Sequence, residues 1–158
     1  MSSASPFARE TSRSDIERLM MLYAVLQDEG RLDEVAELFR HGAFIVDKIP
    51  TAFRGAEEIG AMKHRHDRLY PDGTLRTKHV TTNVRITVDE EDGTARAESY
   101  FTVLQATDDL PLQVIMAGRY SDRFIRLEGK WWFEERFVHT DLIGDMSGHV
   151  VDSPMVDG

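Results

Sequence analysis

The side chains in this sequence best suited to chemistry are one histidine and two tyrosines. His79 stands near the start of RTKHVTTNVRITVDEEDGTARAESYFTVLQ, residues 76–105, a stretch crowded with Val, Ile, Thr, Tyr and Phe. An imidazole titrates near neutrality, so from a dry pocket it can take a proton from the carbon beside a carbonyl. The imidazolium so formed can protonate a leaving hydroxyl. Tyr23 and Tyr120 can donate to the carbonyl oxygen and make the neighbouring carbon more acidic. Together the three residues describe a dehydration or an isomerisation. Each also has a plainer reading: a histidine bonded to an adjacent element, and tyrosines that fill a core. Asn83 either orients a ligand or closes a β-bulge, and His66 is either a second pocket histidine or a residue reaching water. His64 and His66 in KHRHD point to nearly opposite helix faces, so no metal site is expected. His41 and His149 read as surface residues, and no cofactor motif appears.

The elements that must position these groups can be read from spacing. Residues 1–12 are Ser-rich and read as a mobile arm in which only Phe7 docks. Ser14 with Glu17 forms a capping box, and Ile16, Leu19, Met20, Tyr23 and Leu26 follow at helical spacing as far as Asp28. Gly30 stops that helix, and a second, from Leu32 towards Gly42, turns Val35, Ala36 and Phe39 inward. Ala43 to Lys48 reads as a short edge strand. A third helix from Ala56 to about Leu69 offers Ile59, Met62, His66 and Leu69 as its inner stripe. Asp92-Gly93 then marks a hairpin between two long strands.

In the first of these strands, His79, Thr81 and Asn83 share one parity while Val84, Ile86 and Val88 share the other. Either the polar set faces solvent, or a bulge near Val84 and Arg85 turns His79, Asn83, Ile86 and Val88 all inward. In the next strand Ala95, Ala97, Ser99, Phe101 and Val103 are inner. In the third, Met116, Gly118, Tyr120 and Phe124 share a face. In the last, Trp131, Phe133 and Phe137 share one parity and Trp132, Glu134, Arg136 and Val138 the other. Arg119 with Glu134 or Glu135, and Asp122 with Arg136, are expected as cross-strand ion pairs. His139 and Asp141 share a parity on the last strand. The tail is expected to fray after a short turn or helix near residues 143–150.

The chain has 158 residues, 41% apolar and 30% charged, and fits one domain over 13–150 with a mobile tail at 151–158. A formal charge of -9 without a basic stripe argues against nucleic acid and anionic membranes as partners. No cysteine is present. Without an apolar run of membrane-spanning length or a signal-peptide core, the expected setting is soluble and cytoplasmic.

The stretches LMMLYAVLQDEGRLDEVAELF, FRGAEEI, KHVTTNVRITVDEEDGTARAESYF, AGRYSDRFIRLEGKWWFEERFV and DLIGD resemble the SnoaL-like branch of the nuclear transport factor 2-like superfamily, near the scytalone dehydratases. The resemblance implies an α+β, cystatin-like fold, a cone-shaped curved antiparallel sheet wrapped around three N-terminal helices. An apolar pocket lies between sheet and helices in many members. The expected lining, beside His79, Tyr23 and Tyr120, is Asn83, His66, Met62, Ser99, Phe101, Met116 and Phe137. In dehydratase-like members a strand histidine acts as base beside an aspartate from the first helix. His79 matches the histidine, whereas the aspartate position, two residues after Tyr23, holds Val25 and Asp28 lies nearly a turn further on. The second dehydratase histidine falls near Leu104 or Gln105 and is missing. Tyr120 falls on a polar pocket position.

The function this implies is a cofactor-independent lyase or isomerase for a small cyclic or polyketide-like carbonyl compound, held as an apolar or aromatic ligand in an internal pocket. The alternatives are a non-catalytic binding or assembly module of the same fold, which Val25 favours, and a dioxygenase β-subunit-like protein. A homodimer or homotrimer is expected through a sheet face carrying Trp132 and Val138.

Overall fold

The structure, a computed structural model, describes residues 5–152. Helix α1 spans Pro6–Asp28, and its first turn is fixed by Ser5, whose Oγ accepts from the Ala8 N–H at 3.2 Å. Proline at the first helical position wastes no amide there, so the helix starts well before the capping box at Ser14. The expected mobile arm is thus helical from Pro6, and Phe7 is exposed rather than docked. Helix α2 is Leu32–Glu37, shorter than the expected run towards Gly42, and α3 is Gly55–His66. The third helix ends before Leu69, which is exposed.

The strands are β1 Ala43–Val46, β2 Phe53–Arg54, β3 Thr77–Asp89, β4 Thr94–Thr107, β5 Leu110–Leu127 and β6 Lys130–Ile143. They form one curved, open sheet in the order β2-β1-β6-β5-β4-β3. All neighbours are antiparallel except β1, which runs parallel to β6. β1 is therefore an inner strand and not the edge that its short length suggested. Ile16 and Met20 from α1, Val35 and Phe39 from the α2 region and Ile59 from α3 bury their side chains against Phe101, Phe124 and Phe133 of the sheet. Among the described residues no helix is long and apolar enough to cross a membrane.

Bulges decide which side chains face inward. In β3 the register steps from Thr82 opposite Tyr100 to Arg85 opposite Glu98, with Asn83 at φ 53°. Asparagine tolerates that left-handed conformation better than most residues. Before the bulge Thr77 and His79 face in, and after it Ile86 does. Asn83 itself is exposed, so it shapes the strand instead of lining a pocket. A second irregularity in β6 sets Phe133 opposite Phe124 and Glu135 opposite Arg123, leaving Glu134 as the extra residue. Trp131 and Phe133 are buried on one side of it, Arg136, Val138 and Thr140 on the other. The single parity predicted for this strand therefore fails: Phe137 lies outside with His139, their rings 4.5 Å apart, and Val138 lies inside instead of on the outer face with Trp132. Arg119 pairs with Asp141 at 2.8 Å, not with Glu134 or Glu135, whereas Asp122 and Arg136 do pair across β5 and β6.

At Gly118, where β5 crosses the Phe101 ring, the β5–β6 register shifts again. A Cβ there would overlap the His139 carbonyl oxygen and meet Phe101 Cζ at 2.9 Å. Gly118→Ala is therefore expected to destabilise the protein by about 3 kcal/mol, the upper part of the overpacking range. Chemical denaturation checks this, and an unchanged midpoint would contradict the packing described.

Candidate functional site

The last residue of α1 and the first turns of β3 meet through one carboxylate. Asp28 accepts from the His79 backbone N–H at 2.9 Å through Oδ2 and from Thr77 Oγ1 at 2.8 Å through Oδ1. The His79 ring Nδ1 lies 2.5 Å from Asp28 Oδ1. Burial alone would raise the Asp28 carboxyl, but the hydrogen bonds and charge of His79, with the Thr77 hydroxyl, outweigh it and hold the group below its ordinary value. An ionised carboxylate only accepts, so Nδ1 carries a proton, and in the neutral ring Nε2 is the nitrogen with the lone pair. Asp28 thus takes the orienting role for which Val25 seemed to be the vacant position. Val25 is half exposed on the outer face of α1.

His79 lines a partly open cavity of about 80 Å³ between the helices and the sheet. Tyr23 and Tyr120 line it too, with ring centroids 6.1 Å apart, as do Met62, His66, Phe101 and Met116. His66 stands at its rim, half-buried, with Nδ1 3.1 Å from the Val151 carbonyl. Ser99 is fully buried in the core but does not line the cavity. Asn83 and Phe137 face away for the reasons given above. Burial pushes both phenols up, Tyr23 against the pull of Arg136, so each remains a protonated donor at neutral pH. The Arg136 guanidinium, bidentate to Asp122 at 2.8 and 2.9 Å, lies 3.7 Å from the centre of the Tyr120 ring and 4.3 Å from that of Tyr23. It fixes both rings from behind.

Sequence reasoning missed several lining residues, Lys63, Gln27 and His149 among them. Lys63 is 3% exposed, its Nζ 3.7 Å from Asp67 Oδ2 and 4.8 Å from the centre of the Phe44 ring. Gln27 Nε2 donates to the same Asp67 oxygen at 2.7 Å. Both positions were visible as helical neighbours of the inner stripe, Gln27 four residues after Tyr23 and Lys63 four after Ile59, but their polarity suggested a solvated face. His149 was read as surface and is 4% exposed, its ring 6.1 Å from that of His79. The turn at residues 147–149, followed by the bridge between Asp67 and Val150, folds the tail back over the cavity. No local signal announces that contact.

Burial pulls His149 down to about 4, partly opposed by Asp67 and assisted by His79 and Lys63. A histidine depressed from 6.5 binds fewer protons folded than unfolded. Above about pH 6.5 the ring is neutral in both folded and unfolded chains and no protonation cost applies, and stability is lost as pH falls from there towards 4. Urea unfolding is expected to lose up to about 3 kcal/mol across that window. His149→Gln should flatten the decline; an equally steep decline in the variant would contradict it.

Comparisons with known proteins bear on the family and the fold. The family model of the SnoaL-like domain matches residues 8–137. Among curated proteins there is no match. Similar solved structures include a scytalone dehydratase candidate from Novosphingobium aromaticivorans, at 21% identity and TM-score 0.70 over 87% of this chain and 89% of that one. An NTF2-like protein with a cystatin-like fold from the same organism is 19% identical, at TM-score 0.70 over 89% and 92% of the two chains. The β subunit of a candidate aromatic-ring-hydroxylating dioxygenase, also from that organism, is 19% identical at TM-score 0.68 over 86% and 93%. These likenesses bear on the fold, an α+β NTF2-like cone. With 130 consecutive residues matched by its model, the chain belongs to the SnoaL-like family.

Proposed function

We propose that this protein is a lyase or isomerase that moves a proton beside the carbonyl of a small cyclic or polyketide-like compound, with His79 as the base. The observation that carries the reading is the 2.5 Å contact between His79 Nδ1 and Asp28 at the wall of a partly open cavity. With Nδ1–H tied to a carboxylate, Nε2 is the free basic atom and the imidazolium is stabilised as it forms. The Tyr23 and Tyr120 hydroxyls donate to the substrate's carbonyl oxygen while negative charge gathers on it. In a dehydration, Nε2 takes the proton on the carbon beside the carbonyl. The resulting enolate collapses to a carbon–carbon double bond, and the hydroxyl on the next carbon leaves as water with the proton from Nε2. In an isomerisation the same proton returns at another carbon.

The reading as a non-catalytic module drew its support from Val25, and Asp28 removes that support. Similarity to a dioxygenase β subunit is similarity of fold.

A test that needs no knowledge of the natural substrate follows deuterium uptake from D2O at the carbon beside the carbonyl of 1-tetralone by NMR. Wild-type protein should accelerate the exchange. His79→Ala should lower the rate by about 10²–10⁴-fold while keeping its circular dichroism and melting profile, and Asp28→Asn should lower it less. Exchange at the same rate in folded His79→Ala, or none above background in the wild type, would refute the assignment.

A further inference from the structure

The cavity wall is mixed. Met62, Phe44 and Phe101 give it apolar surface, and Lys63, Gln27 and His149 add nitrogen and oxygen atoms to it, with Lys63 Nζ 4.8 Å from the centre of the Phe44 ring. These three side chains are 3%, 2% and 4% exposed, and their hydrogen bonding is incomplete. Among the described residues the carboxylate bridged to Lys63 Nζ is that of Asp67, at 3.7 Å, too long for a hydrogen bond. That carboxylate also accepts from Gln27 Nε2, which leaves Gln27 Oε1 buried without a partner. His149 Nδ1 is likewise buried and unpaired. Such atoms are costly in a folded interior unless something bonds to them. Sharing Asp67 Oδ2 holds Lys63 and Gln27 side by side, and His149 sits on the bridge that follows Asp67.

We infer that Lys63, Gln27 and His149 form a subsite for the oxygen-bearing end of a ring ligand, with an anionic oxygen on Lys63 Nζ and a hydroxyl donating to Gln27 Oε1. The chemistry of the three groups selects the class. An incompletely paired ammonium asks for a negative oxygen, a carboxylate or an enolate. An unpaired amide oxygen asks for a donor, and a neutral imidazole Nδ1 takes either partner according to its tautomer. The apolar side chains then cover the ring. A hydroxylated aromatic or alicyclic acid meets these requirements together, and so does the enolate that His79 would generate from a hydroxy ketone. The inference rests on the reading of this cavity as the ligand site and extends it to what the ligand must carry.

Isothermal titration with 3-hydroxybenzoate, benzoate and 3-hydroxybenzyl alcohol tests it on the full chain. Wild-type protein should bind 3-hydroxybenzoate most tightly. Lys63→Met should weaken that binding at least tenfold, and Gln27→Met should abolish the preference over benzoate. In the wild type, the ring protons of bound 3-hydroxybenzoate should show nuclear Overhauser contacts to the Met62 methyl, a readout independent of whether either variant folds. Undetectable binding, absence of those contacts, equal affinity for the neutral alcohol, or unchanged affinity in folded Lys63→Met would each overturn the subsite. Binding without deuterium exchange into 1-tetralone would sink the catalytic reading alone, and exchange without binding would sink this one.

Discussion

One carboxylate ties the cavity end of this molecule together. Asp28 closes α1 and at the same time receives the backbone and ring N–H groups of His79 and the Thr77 hydroxyl, so the end of the first helix and the start of the first long strand cannot move independently. The ring's tautomer follows from the same contact, because a carboxylate that stays ionised can only accept. Remove this bond and His79 becomes a strand histidine with two rotamer-dependent faces. With it, Nδ1 is committed to Asp28, on a residue that lines the cavity. The contact spans 51 positions of sequence, and the hydrophobic packing of α1 through Ile16, Met20 and Tyr23 is what brings its partners within reach.

The interior holds more charge than a core of this size usually tolerates. Arg136 and Asp122 are buried together, and Lys63 and Asp67 stand nearby. A buried ion pair seldom adds net stability, since desolvation cancels most of the attraction. Here the pair has a positional consequence: the guanidinium lies against the rings of Tyr120, Tyr23 and Phe133 and so fixes the aromatic back wall of the cavity. Burial pulls the Arg136 guanidinium down, but Asp122 more than compensates and keeps it charged. Lys63 is different, because its carboxylate is distant and burial draws its ammonium down from the usual lysine range. Arg136 is held through Nε and Nη2 by Asp122 and keeps one buried, unpaired nitrogen, Nη1, whereas Lys63 stands 3.7 Å from its carboxylate.

The fold was legible because it depends on local rules. Helical spacing in residues 16–26, the Asp92-Gly93 turn and the β-branched strands each specify an element, and their order specifies the cone. His79, Tyr23 and Tyr120 were legible for the same reason, since each sits on the buried face of an element whose period is plain. What strict alternation could not show were the bulges. An extra residue at Asn83 rescues His79 and Ile86 for the same face, while an extra residue at Glu134 expels Phe137 and admits Arg136 and Val138. Asp28 was illegible because its partner lies on another element. His149 was illegible because a polar tail rich in Asp and Gly gives no sign that it folds back to close a cavity.

The account turns on which nitrogen of His79 faces the cavity. Long-range ¹H–¹⁵N correlation spectra of the wild-type protein, recorded where the ring is neutral, report this directly. Nδ1 should appear as the protonated, pyrrole-like nitrogen and Nε2 as the pyridine-like one, with the pattern disturbed in Asp28→Asn. The opposite tautomer in the wild type, with Nε2 protonated and Nδ1 bare, would contradict the geometry and the base assigned from it.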